Sequence, residues 1–331
     1  MERSQILTGP TPLERLGRLS EQLEIDLWIK RDDLAGPSFG GNKARQLEYY
    51  FGAAEAGGAD TILITGAVQS NFVRLAASVA NAKGMKAVVQ LEDRVASADE
   101  AYSRSGNVIL NHILGAEVIT YPEGEDEAGA DRALNEHADR LRREGRTPYV
   151  IPLGENHPPL GALGYMRAAE EIFDQTSDID VFVVASGSGS THTGLLAGVR
   201  ACGSGARVIG SCVRRGRSEQ APRIKRVLDR LVQLDPKAAR ATHADVELWD
   251  GALAPGYGQL GPSAKAAMQL MARKEGLILD PVYTAKAFAA VPALVNEGVI
   301  PKSAKVCFIH TGGLAAVSAY SSVLNAEFAG A

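Results

Sequence analysis

Short apolar runs rich in β-branched residues alternate along the chain with longer stretches whose apolar residues recur at helical spacing. Residues 61–65, 86–91, 179–185, 207–211 and 305–310 are runs of the first kind, and residues 27–30 form a similar strand-like segment. The five runs are each followed by an amphipathic or Ala-rich segment, a rhythm that predicts parallel sheets flanked by helices. Residues 181–185 are apolar at every position, as expected of a central strand covered on both faces; a half-exposed strand would alternate. Helices are expected over residues 44–56, 71–83, 128–144, 161–173, 218–234, 262–274 and 284–296, with another from about His192 to Ala201. The acidic stretch 121–129 and the Gly/Pro-rich stretch 154–160 read as loops, the second as a joint between lobes. No internal repeat interrupts this pattern.

The length of 331 residues favours two lobes around a cleft over a single domain. Hydrophobic residues at 45% and charged residues at 22% exclude a disordered or fibrous chain. Thirty-five basic against thirty-nine acidic residues leave a net charge of −4, which provides no electrostatic footprint for nucleic acid or an anionic membrane. A small-molecule partner is therefore expected. The three cysteines, Cys202, Cys212 and Cys307, lack metal-ligand spacing, and their apolar or small neighbours read as buried thiols in a reducing cytoplasm. Residues 1–9 lack the pattern of a secretory signal, and no run reaches the roughly 18 apolar residues of a membrane span. The six histidines show no pair at metal spacing, so no metal is expected.

Three segments bring chemistry. Gly40-Gly41-Asn42-Lys43 closes a loop and opens a helix, where the positive end of the helix dipole disfavours an ammonium and favours a reactive free amine. By itself such a motif more often marks an exposed lysine on a first helical turn. Ser186-Gly187-Ser188-Gly189-Ser190-Thr191 lies between a buried strand and a helix. Its backbone N–H groups and hydroxyls make an anion cradle suited to a bare monophosphate, since a P-loop lysine and the dinucleotide spacing are both missing. Thr65-Gly66-Ala67-Val68-Gln69-Ser70-Asn71 repeats the strand-loop-helix arrangement and suits a carboxylate, or an ordinary Ser/Asn cap.

These segments occur in order with Gly256-Tyr257-Gly258, Asp280-Pro281-Val282-Tyr283-Thr284 and His310-Thr311-Gly312-Gly313. Together they resemble the D-cysteine desulfhydrase and 1-aminocyclopropane-1-carboxylate deaminase family, from Thr11-Pro12-Leu13 through Lys30-Arg31-Asp32-Asp33 to the final helix. The resemblance implies the two-domain tryptophan synthase β-like fold, type II of the pyridoxal-phosphate enzymes, an α/β architecture with the cofactor between domains. It places residues 1–47 and 160–331 in a large cofactor-binding domain and residues 48–159 in a small one, in a cytoplasmic homodimer.

The resemblance also implies roles at the matched positions. Lys43 would carry pyridoxal 5′-phosphate as a Schiff base and shuttle the substrate α-proton; Gly187, Ser188, Gly189, Ser190 and Thr191 would hold the phosphate. Asn71 would bond the ring 3′-oxygen, and Ser70 would help hold the carboxylate of a small amino-acid substrate. Tyr257 and Tyr283 would face that substrate as donors or proton carriers. Thr284 would face the ring nitrogen, where deaminases of the family have Glu; a neutral hydroxyl suits β-elimination. Two departures stand out: Phe72 replaces a polar residue beside the carboxylate site, narrowing the pocket, and Ser190 replaces a glycine. The activity implied first is D-cysteine desulfhydration, releasing pyruvate, sulfide and ammonia. After it come an L-cysteate sulfo-lyase, favoured by Arg214, Arg215 and Arg217, then cyclopropane deamination and racemisation. A sensor that kept the fold is the non-enzyme alternative. The arginine cluster otherwise reads as a solvated loop.

Overall fold

A computed structural model describes residues 2–95, 99–154 and 156–329. Met1 and Glu155, which fall within two of the stretches read above, lie outside the described residues. In chain order the strands are β1 (Leu13–Arg15), β2 (Asp26–Lys30), β3 (Thr61–Ala67), β4 (Lys86–Glu92), β5 (Glu117–Tyr121), β6 (Pro148–Ile151), β7 (Val181–Ser186), β8 (Arg207–Cys212), β9 (Glu247–Trp249) and β10 (Lys305–Ile309). Six form one sheet in the order β1-β2-β10-β7-β8-β9, and four form a second in the order β5-β4-β3-β6. Among the described residues only β1 pairs antiparallel; all other neighbours run parallel. Parallel neighbours need crossovers, and the helices supply them.

The apolar run predicted to be central is central, and its side chains divide by period two. Val181 and Val183 join the core on one face with Val306 and Phe308. Phe182 and Val184 join the core on the other with Cys307 and Ile309. The second sheet is likewise covered twice, by a cluster around Ile62, Ile64 and Phe51 and by one around Leu63, Val88 and Leu134. The helices Leu160–Gln175 and Ser190–Ala201 approach so closely that a Cβ on Gly194 would lie 2.2 Å from the Ala162 carbonyl oxygen.

The expected strands and helices are present, with ends displaced by a few residues. Strands β1, β5, β6 and β9 and the helix Gly17–Leu23 were not anticipated, because they are short and largely half-exposed and carry no sustained apolar run. The helix Glu127–Arg143 starts inside the stretch read as a loop, with the Asp126 carboxylate accepting from the Gly129 N–H at 2.8 Å as its cap. The reading of three buried thiols is corrected at one position. Cys202 is exposed, because it ends the helix Ser190–Ala201 at the surface, whereas Cys212 and Cys307 are buried in strands.

One buried polar network ties the helices Lys43–Ala56 and Leu160–Gln175 to the end of β2. Arg45 donates to both oxygens of Asp32, at 2.9 and 2.8 Å, and to both oxygens of Glu171, each at 2.8 Å. Lys30 donates to Glu171 at 2.6 Å, and the Tyr165 hydroxyl donates to Asp32 at 2.5 Å. Burial by itself would raise the Glu171 carboxyl, but Arg45 and Lys30 outweigh it and hold the group at about 2. Arg45 stands two residues beyond Lys43, so this network anchors the first turn of the helix Lys43–Ala56.

Candidate active site

The chain enters that helix through four consecutive residues with positive φ: Ser38, Phe39, Gly40 and Gly41. Glycine is required at the last two. A Cβ on Gly40 would sit 2.5 Å from the Asp33 carbonyl oxygen, and one on Gly41 would crowd the Thr311 carbonyl at 3.2 Å. From the helix Asn71–Ala82, the fully buried Arg74 donates to the carbonyls of Ser38 and Gly40 and, at 3.1 Å, to the Asn107 side chain. The turn that presents Lys43 is therefore held from both sides.

Lys43 is half-buried at the mouth of its helix, with Nζ 5.1 Å from the centre of the Phe72 ring. Among the described residues no carboxylate pairs with it. Burial pulls its pKa from the ordinary lysine value down to about 8, a range in which a substantial fraction is free amine near neutrality. Phe72 covers the amine with a hydrocarbon face.

Asn71 opens the helix Asn71–Ala82, and Ser70 caps it, its hydroxyl oxygen accepting from the Val73 N–H at 3.3 Å. The Asn71 side-chain oxygen accepts from Asn107 at 3.0 Å and from Arg74 at 3.3 Å. With its acceptor occupied, Asn71 offers its NH2 group to the cleft that it lines. The Ser70 hydroxyl proton is free in the same sense.

Gly187, Ser188 and Gly189 lead into the helix Ser190–Ala201, whose first N–H groups have no partner within the helix. Thr191 Oγ1 accepts from both Asn42 and Gln46, each at 2.8 Å, so its hydroxyl proton is left to donate elsewhere. That pair of bonds also ties the lysine turn to the glycine-rich loop. Beneath the loop, the buried His192 bonds Ser186 at 3.1 Å, and burial lowers its pKa to about 4, which keeps the ring neutral.

Tyr257 and Tyr283 touch through their hydroxyls at 2.5 Å. Burial, followed by the neighbouring Tyr257, pushes the Tyr283 phenol well above its usual value, so it stays protonated. The buried Lys286 fixes the loop that carries Tyr257 by donating to the carbonyls of Leu253 and Gly256, at 3.0 and 2.5 Å.

One cleft is lined by Lys43, Ser70, Asn71, Phe72, Gly187, Ser188, Gly189, Thr191, Tyr257 and Tyr283 together. Ser190 and Thr284 do not line it. Ser190 borders a small neighbouring cavity with Gln46 and Phe72. Thr284 is fully buried at the start of the helix Thr284–Asn296, its hydroxyl donating to Asp280 at 2.7 Å and accepting from the Asp280 N–H at 2.8 Å.

Of two further cleft residues, Arg94 carried no sequence signal, and Arg214 only that of its arginine cluster. Arg94 follows β4 and is paired with the buried Glu92 at 2.9 and 2.5 Å. Arg214 was read as part of a solvated loop and is instead 6% exposed, because Glu127 pairs with it at 2.6 Å from the second sheet's side of the cleft. The partner lies 87 residues away in the chain, a separation that no local pattern reports.

The family model described as pyridoxal-phosphate dependent enzyme matches residues 5–312. A D-cysteine desulfhydrase of Klebsiella pneumoniae subsp. pneumoniae is 39% identical over 324 residues, covering 96% of each chain. A 1-aminocyclopropane-1-carboxylate deaminase of Methylobacterium nodulans is 38% identical over 326 residues, again covering 96% of each. Among solved structures, an ACC deaminase homologue superposes with a TM-score of 0.88 at 32% identity, over 99% of this chain and 97% of that one. An L-serine ammonia-lyase from Rhizomucor miehei shares the fold at 18% identity, with a TM-score of 0.67 over 96% and 99% of the two chains.

Proposed function

The chain belongs to the pyridoxal-phosphate dependent enzymes, and from that premise we propose that it is a lyase performing α,β-elimination on a small β-substituted amino acid, with D-cysteine as its first substrate. Pyridoxal phosphate is its cofactor. The residues present fit that group on chemical grounds. An amine that is desolvated and has no ion partner among the described residues faces a loop of amide and hydroxyl donors, and this pairing of aldehyde trap and phosphate cradle is the observation that carries the reading. When bound, the cofactor supplies the electron sink for the pair left by a broken Cα–H bond.

In this reading the chain's own groups divide the work. Lys43 holds the cofactor and, released by the substrate, takes the α-proton; its depressed pKa keeps the amine ready near neutral pH. Gly187 to Thr191 grip the phosphate, with Ser190 contributing through the helix start. Asn71 donates to the ring oxygen through the NH2 group that Asn107 and Arg74 leave free. Ser70 holds the substrate carboxylate, and Phe72 walls that side against water. Tyr257 and Tyr283 donate to the departing group, the Tyr283 phenol held protonated by its burial. Thr284 brings no carboxylate to the ring nitrogen, and its own proton is committed to Asp280. That favours elimination, which needs less carbanion stabilisation than ring opening of an aminocyclopropane.

The lobes in this reading are residues 1–47 with 160–331, built on the six-stranded sheet, and residues 48–159, built on the four-stranded one. The unit in solution is a homodimer, supported by exposed Leu34, Phe39, Ile278 and Leu314 around one groove behind the lysine turn. Light scattering on the intact protein should give twice the chain mass, and Phe39→Asp should shift it toward one.

The activity is tested on a panel of amino acids with pyruvate release as the readout. D-cysteine should yield pyruvate and sulfide in equal amounts, and 1-aminocyclopropane-1-carboxylate should react at least about 100-fold more slowly, the size of effect a missing charged partner in a buried site produces. Preference for the cyclopropane would overturn the role given to Thr284. Failure to release pyruvate from any member of the panel would leave a binding protein that kept the fold.

A further inference from the structure

We propose that Lys286 is a positioning residue for the phenol pair: its ammonium, seated on the Leu253 and Gly256 carbonyls, holds the loop at residues 250–261 so that Tyr257 meets Tyr283 at the cleft. What the phenols then do rests on the elimination reading; how the loop is held does not.

The loop runs from β9 to the helix Pro262–Glu275 and includes Gly251, Pro255, Gly256, Gly258 and Gly261. It belongs to no strand or helix. Among the described residues its backbone bonds to itself twice, from the Leu253 N–H to the Asp250 carbonyl at 3.0 Å and from the Gln259 N–H to the Gly256 carbonyl at 3.4 Å. Glycine has the most conformational freedom to lose on ordering, so a segment of this composition, with Ala254 and Pro255 exposed, does not order itself. It nevertheless delivers the Tyr257 hydroxyl to within 2.5 Å of the Tyr283 hydroxyl.

Lys286 supplies the missing order. It is fully buried on the first turn of the helix Thr284–Asn296, and its Nζ donates to the Leu253 carbonyl at 3.0 Å and to the Gly256 carbonyl at 2.5 Å. The Gly256 carbonyl is part of the peptide group that leads into Tyr257, so the second bond fixes the backbone on which that tyrosine stands. Tyr283 lies about one turn before Lys286, at the start of the same helix. One short element therefore carries both the partner phenol and the cation that sets its distance from Tyr257.

The residue type singles out this role. Among the described residues no carboxylate pairs with Lys286; burial pulls its pKa down to about 8, with nearby Asp280 pulling the other way. A buried cation is costly, and an apolar side chain of similar length would fill the space without that cost. Such a side chain could not donate to two carbonyls, and a charged donor makes the stronger bonds. Lys286 does not line the cleft, so its effect on the reaction passes through Tyr257.

The test is a double-mutant cycle on the holoenzyme, read by pyruvate release and by amide hydrogen exchange. Lys286→Met keeps the length of the side chain and removes the ammonium. It should retain the visible absorbance of the cofactor and lower kcat at least about tenfold, and Tyr257→Phe should lower kcat by about 100-fold. The double variant should be no more than about twofold slower than Tyr257→Phe alone, because a residue that acts through the phenol has nothing left to position. Factors that multiply in the double variant would assign Lys286 a general structural role and overturn the proposal, as would a full kcat in Lys286→Met. Amide exchange across residues 251–260 should be at least about tenfold faster in Lys286→Met, with the turn at residues 40–43 and the loop at residues 187–191 unchanged. Unchanged exchange in the tyrosine loop overturns the proposal whatever the activity. If Lys286→Met does not accumulate as folded protein, Lys286→Gln, which keeps an N–H donor and loses the charge, takes its place with the same readouts. If no amino acid is turned over but exchange in the loop rises, the elimination reading falls and the role of Lys286 in placing Tyr257 stands.

Discussion

Lys43→Ala is expected to lower pyruvate release from D-cysteine by at least about 10⁴-fold, because in the proposed reading a single side chain both holds the cofactor and moves the α-proton, and each role is worth a large factor. The folded state should survive the change, since Lys43 makes no ion pair among the described residues and its removal relieves a buried charge. Circular dichroism should therefore be unchanged while the visible absorbance and its borohydride sensitivity disappear. The same burial sets a pH signature in the cofactor-free protein. Labelling of Lys43 by an amine-directed reagent should rise with pH through about 8 and level off above it, whereas an exposed lysine would keep rising toward 10. Retained activity in the alanine variant would remove Lys43 from the mechanism.

The second large effect is on stability. Arg45→Leu leaves Asp32 fully buried with only Tyr165, Thr11 and distant Lys30 to compensate it, and leaves Glu171 with Lys30 alone. Removing one member of a buried ionic network costs about 3–5 kcal/mol, which should lower the melting temperature by roughly 5–10 °C at fixed cofactor concentration. The network also predicts how the unaltered protein responds to acid. Glu171 has a folded pKa depressed to about 2 from an ordinary value of 4.5, and Asp32 is lowered from 3.8. Their contribution is present above the ordinary carboxylate range and is lost as pH falls through the folded values, so stability should decline steeply below about pH 4.5. In Arg45→Leu that decline should flatten, because the depression has been removed. A melting temperature within about 2 °C of the parent would show that the network is dispensable.

Lys43 and Arg45 share a helical turn, so the two predictions meet in one place. An enzyme that must keep an amine uncharged and immobile next to a mobile ligand needs its helix start fixed from below. The Asp32–Arg45–Glu171 network fixes it from the large sheet, and Arg74 fixes the preceding turn from the helix Asn71–Ala82.

The sequence alone determined the strand-helix alternation, the central place of the run at residues 181–185, and the three turns that carry Lys43, Asn71 and the glycine-rich loop. Each of these is a local matter: periodicity, a cap or a glycine at positive φ is decided by neighbours within a few residues. Only the tertiary structure decided that Arg214 is a buried wall of the cleft, that Glu127 collects three arginines, that Arg94 stands beside the tyrosines, and that Phe72 covers the lysine. Charge partners across a cleft are chosen by how two sheets face each other, and a run such as Arg214-Arg215-Gly216-Arg217 reads identically whether water or a distant carboxylate receives it. Burial turns the same residues from solvated charges into unmet donors, and burial is a property of the assembled chain.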